Sequence, residues 1–229
     1  MSNSALRVLA GAGAKGDPVY VDDVFSTFLW DGTGSSHVID NGIDLSGEGG
    51  LVWIKSRSHG LSHALYDTER GNTKIIQSNS NGAEQTNSTQ VTSFNNNGFT
   101  MGTGEVNYSG YTYCGWTFRK QAGFFDVATY TGTGSTQTVS HDLGCKPGVV
   151  IVKRLDNTSD WGFYARNGDS DSEIGIGYLN SYSGFTTSGI AFTATSSAVT
   201  IYNNSFSFDA TTSGATFVVY FFAMGGTDS

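Results

Sequence analysis

The sequence predicts an all-β fold, and three observations carry that prediction. Apolar residues fall in short runs bounded by Gly, Asn and Asp, the spacing of strands joined by tight turns. No window of about eleven residues keeps a helical apolar period. The composition fits turn-rich sheets: among 229 residues there are 31 Gly and only 2 Pro, with 13% aromatic and 14% charged residues. That aromatic content supplies large buried areas, which a disordered chain lacks.

Taken in order, residues 1–23 differ from the rest. The stretch 9–18 (Leu-Ala-Gly-Ala-Gly-Ala-Lys-Gly-Asp-Pro) is too Gly-rich for a stable helix and reads as an extended N-terminal arm. Val19, Tyr20, Val21, Val24 and Phe25 give the end of the arm an apolar face for docking in an assembly. Strands are then expected at 25–30, before an Asp31-Gly32 turn, at 51–55 after Gly49-Gly50, and at 64–67, 74–77, 98–101 and 111–118. A second series follows at 124–130, 137–141, 149–153, 161–164, 173–178, 191–195, 198–202 and 205–208. Residues 215–223 are almost continuously apolar, as in a central strand covered on both faces.

The two series look like divergent copies. Residues 50–55 (Gly-Leu-Val-Trp-Ile-Lys) match 148–153 (Gly-Val-Val-Ile-Val-Lys), and 112–118 match 216–222. A third match sets 97–100 (Asn-Gly-Phe-Thr) against 204–207 (Asn-Ser-Phe-Ser). The expected organisation is an arm, 1–23, and two tandem β-sandwich units, 24–121 and 122–229. The alternative is one fused sandwich drawing strands from both halves.

Lys and Arg total 12 against 20 Asp and Glu, a net charge of −8, and the basic residues form no stripe. Nucleic-acid binding rests on clustered cations, so no nucleic-acid partner is expected. Two cysteines, Cys114 and Cys145, are too few for a disulfide framework and lack metal-ligand spacing; both are read as reduced and structural. No apolar run is long enough for a membrane helix and no signal peptide is evident, so no membrane insertion is expected.

Candidate chemistry competes everywhere with plainer uses. His37, His59, His63 and His141 sit in no metal-binding frame, and no nucleophile elbow or phosphate loop accompanies them; they are read as loop and core histidines. Asp67 and Arg70 follow a strand and most simply pin a loop, although with Trp53 they have the makings of a sugar clasp. Asp169, Asp171 and Glu173 alternate, so in extended chain their carboxylates share one side. That suits weak Ca²⁺ binding or, more simply, a solvated acidic edge. Trp30, Trp53, Trp116 and Trp161 are assigned to the core rather than to a sugar platform. No cofactor is implied and no catalytic residue stands out.

Several runs carry a resemblance to a known module. Residues 24–34, 41–45, 49–57, 63–71 and 97–100, with 124–134, 141–144 and 147–153 in the second half, resemble a β-sandwich module of virion proteins in tailed bacteriophages, especially marine phages and cyanophages. The resemblance covers most of 19–225 and implies a topology like lectin-type jelly rolls. It implies a virion location after synthesis in the host cytoplasm, with release by lysis. The function it implies is non-enzymatic: a surface appendage or tail-fibre-type subunit contacting other virion proteins. Capsid decoration and recognition of a host glycan are the alternatives. A homo-oligomer is expected, with a trimer as the candidate state in the phage setting.

Overall fold

A computed structural model describes residues 19–166, 174–181, 192–203 and 209–224. The chain enters through one helical turn, α1 (Val21–Val24), and continues as antiparallel strands. The first half contributes β1 (Phe25–Asp31), β2 (His37–Asp40), β3 (Gly50–Ser56), β4 (Ala64–Asp67), β5 (Lys74–Ile75), β6 (Gln85–Thr86), β7 (Val91–Asn95), β8 (Gly98–Met101) and β9 (Thr112–Arg119). The second contributes β10 (Phe125–Thr131), β11 (Gln137–Ser140), β12 (Pro147–Arg154), β13 (Gly162–Arg166), β14 (Ile174–Tyr178), β15 (Phe192–Ala194), β16 (Ala198–Ile201) and β17 (Thr216–Ala223). The expected strand at 205–208 lies outside the described residues.

Each sheet draws its strands from one half. The orders are β1-β9-β3-β4 with β2-β8-β7 in the first half, and β10-β17-β12-β13-β14 with β11-β16-β15 in the second; β5 and β6 pair as a separate hairpin. As its apolar run requires, β17 is central and buried on both faces.

Two of the internal matches recur in the register. Leu51 pairs with Phe118 and Ile54 with Gly115 in the first half, as Val149 pairs with Phe222 and Val152 with Val219 in the second. The third match is corrected. The strand placed like β8, which pairs with β2, is β16, which pairs with β11: Ile39 faces Phe99 as Val139 faces Val199. Inward alternation sets this register, and Val199 and Ile201 take the core places of Phe99 and Met101. The Asn-x-Phe string at 204–206 lies outside the described residues.

Three cores separate four layers. Trp30, Val52, Tyr66, Phe99 and Tyr113 fill the core of the first half, and Val150, Tyr164, Phe192, Phe217 and Phe221 fill that of the second. Close packing there admits little: a Cβ on Gly115 would stand 2.9 Å from the Trp30 ring. The third core joins the halves. Leu51, Leu65 and Ile76 meet Phe125, Val127, Ile151, Trp161, Val218 and Tyr220, so the larger sheets pack back to back through their outer faces. Each large side chain buried there contributes about 2 kcal/mol.

Candidate functional site

Buried charge concentrates in that seam. On β4, Leu65 and Asp67 share the face turned toward the second half, because side chains alternate along a strand. The Arg70 Nε donates to Asp67 Oδ2 at 2.6 Å, and its backbone N–H donates to Oδ1 at 2.9 Å. The same guanidinium reaches Glu84 at 3.2 Å and the Leu65 carbonyl at 3.2 Å. From β17 the Tyr220 hydroxyl donates to Asp67 Oδ2 at 2.7 Å. Burial opposes the charge on Arg70, but Tyr220, Asp67 and Glu84 outweigh it and hold its pKa above the ordinary value.

Residues 77–84 extend the contact. The Trp161 indole, fully buried, donates to the carbonyls of Gln77 and Ser80 at 3.1 and 2.9 Å. Backbone bonds run from Glu84 N to Leu155 O at 2.8 Å and from Ser159 N to Asn81 O at 2.9 Å. Lys153 is fully buried, and its ammonium donates to the carbonyls of Asn81, Arg154 and Ser159 at 3.2, 2.9 and 2.9 Å. Its first-half counterpart Lys55 donates to Ser56 O and His59 O but stays half-exposed. The sequence signal for Lys153 was its place at the end of an apolar run inside β12, where one face is the seam.

Burial pushes the pKa of Lys153 down to about 8. Its unfolded value is higher, so between about pH 8 and 10 the unfolded chain holds the proton that the folded one has lost. Stability linked to this group therefore rises with pH across that window, by up to about 3 kcal/mol. We expect the urea midpoint of the wild type to gain on that of Lys153→Met from pH 7.5 to 9.5; parallel midpoints would show that Lys153 keeps an ordinary pKa.

The proposed sugar clasp is dispersed. Asp67 and Arg70 side chains are 0% and 2% exposed, turned into the seam rather than toward solvent. Trp53 is half-buried on the rim of the same sheet face, where its Nε1 donates to His63 Nδ1 at 2.9 Å and its ring meets Trp116 edge-on at 6.4 Å. Trp30 and Trp161 are buried, while Trp53 and Trp116 are only half-buried and depart from the core assignment because they sit on the outer face of the sheet. Burial, then the nearby Lys55 charge, lowers the His63 pKa.

The assembly residues split. Val24 is fully buried against the chain's own sheet and Phe25 packs on Phe118 with ring centroids 4.9 Å apart, whereas Val21 is exposed and Val19 and Tyr20 are half-buried. Asp169, Asp171 and Glu173 lie outside the described residues. Among the described residues no group of His, Cys, Asp and Glu is arranged to hold a metal ion. Cys114 is a buried free cysteine.

Beside Lys153 the seam opens into a cleft of about 300 Å³. Asn81 lines it from the first half, and Thr158, Ser159, Asp160, Tyr178 and Asp209 line it from the second. Asp160 is oriented by Asn180, whose Nδ2 donates to it at 2.7 Å. Asp209 holds a left-handed backbone, φ 57°.

The fold and seam define an all-β, antiparallel sandwich-type protein whose buried polar network joins its two halves. The chain belongs to the family described as Domain of unknown function (DUF7483), whose model matches residues 21–226. One family model thus spans both halves and the seam between them. No curated protein and no solved structure matches the chain.

Proposed function

We propose that the chain is a non-enzymatic surface subunit of a tailed-phage virion, assembling through its amino-terminal segment and its open sheet edges. The observation that carries this reading is four unguarded edges. Among the described residues β1, β2 and β11 each pair on one side only, as does β10 beyond its Phe125–Gln121 bridge, and none contains Lys or Pro, the residues that commonly protect edge strands. On two of them, Leu29 and Val38 are 55% and 56% exposed. Such edges accept a strand from a neighbour, with main-chain bonds supplying affinity and no pocket required. The back-to-back sheets suit a block that transmits position without moving.

Tail appendage and head decoration are two placements of the same reading, and density for the chain in an image of the intact particle separates them. Absence of the chain from purified particles would refute both. The open edges support a homo-oligomer. Leu29→Lys with Val38→Lys is expected to shift light scattering toward the monomer while stability changes by no more than about 0.5 kcal/mol per site. An unaltered oligomer would remove these edges from the interface.

A further inference from the structure

We propose that the seam cleft lined by Asn81, Thr158, Ser159, Asp160, Tyr178 and Asp209 binds one neutral pyranose unit of a glycan. This goes beyond the assembly reading and does not depend on it. A volume of about 300 Å³ is at the lower end of small-ligand sites and holds a single sugar ring. Its lining matches sugar chemistry: two carboxylates accept from hydroxyl pairs, an amide and two hydroxyls donate or accept, and a tyrosine offers an apolar ring face.

The wall is built before any ligand arrives. Lys153 clamps the carbonyls of Asn81 and Ser159 from below, and Ser159 N donates to Asn81 O, fixing the loops from the two halves against each other. Asn180 bridges Trp161 N and the Asp160 carboxylate at 2.8 and 2.7 Å, which sets the Asp160 rotamer. At the opposite side Asp209 occupies a backbone conformation that glycine adopts freely, and its carbonyl is held by Thr212 N at 2.9 Å. Preorganised polar groups lose less entropy on binding. The described lining supplies two carboxylates and no cation, while Lys153 and Arg154 behind it lie within electrostatic range of Asp160 and Asp209, so the charges largely balance and the cleft suits neutral sugars.

The site differs from the clasp suggested by Trp53, Asp67 and Arg70, which the fold disperses. It is made only where the halves meet, because Asn81 comes from one and the other five residues from the second.

The test is titration of the full chain with a panel of neutral methyl pyranosides and linear neutral oligosaccharides, followed by saturation-transfer NMR. Saturable binding in the millimolar range is expected for at least one stereoisomer, as suits a small open site. Asp209→Gly keeps the turn and removes the carboxylate; Asp160→Asn keeps an acceptor for Asn180. Each is expected to weaken binding at least tenfold with an unchanged melting curve, whereas Trp116→Ala leaves affinity unaltered. Preference for oligosaccharides assigns chain-internal units as the source, and loss of binding on extension assigns terminal ones; both support the site. The proposal is overturned if no neutral sugar saturates at about 100 mM, if both cleft variants bind like the wild type, or if only amines or divalent cations bind.

Discussion

Replacing Asp67 with Ala is expected to destabilise the protein by about 3–5 kcal/mol, because the Arg70 guanidinium stays buried after losing its closest counter-charge. The remaining partner, Glu84, is 3.2 Å away and better solvated, with a side chain 17% exposed against 0% for Asp67. The Tyr220 hydroxyl also loses its acceptor in a fully buried position, where an unmade hydrogen bond is costly. Tyr220→Phe alone is expected to cost about 1–2 kcal/mol. In chemical denaturation the double variant should cost less than the sum of the singles, since the two residues share one bond across the seam. Strict additivity would mean that the Tyr220–Asp67 contact contributes nothing.

Trp161→Ala is the second large effect, again about 3–5 kcal/mol. The indole is fully buried in the core shared by the halves, so truncation leaves a void bounded by both. It also strips donors from the carbonyls of Gln77 and Ser80. Trp161→Phe keeps much of the volume and loses those two bonds, and about 1–2 kcal/mol is expected from urea midpoints. A Phe variant as unstable as the Ala variant would locate the energy in the hydrogen bonds rather than in packing. The 77–84 segment should then gain amide exchange in both variants, because Trp161 is one of its anchors.

Much of this fold was legible in the sequence, and the reason is local. Short apolar runs marked the described strands except β2, β6 and β7, and the almost continuous apolar run at 215–223 identified β17 as central. The Asp67–Arg70 pair was legible because the partners stand three positions apart. Tyr220 was not, since 153 residues separate it from Asp67. The back-to-back seam was hidden for a related reason. Outer-face residues such as Leu51, Val127 and Ile151 have the same character as inner-face ones, and period-two patterning cannot say what covers the second face. The burial of Lys153 was not legible, because sequence registers its charge and not the carbonyls that surround it. The misplaced third match arose where a four-residue string was weighed without its register.

The cleft was illegible throughout. Its residues are polar and common, they are spread from Asn81 to Asp209, and nothing in their spacing marks them as neighbours. What assembles them is the seam, and the seam is the claim on which the remaining structure depends. Differential scanning calorimetry of the full chain tests it most directly. A single transition whose calorimetric and van't Hoff enthalpies agree is expected, because two halves sharing a core and a buried ion network unfold together. Two resolved transitions, with Asp67→Ala lowering only one, would contradict it.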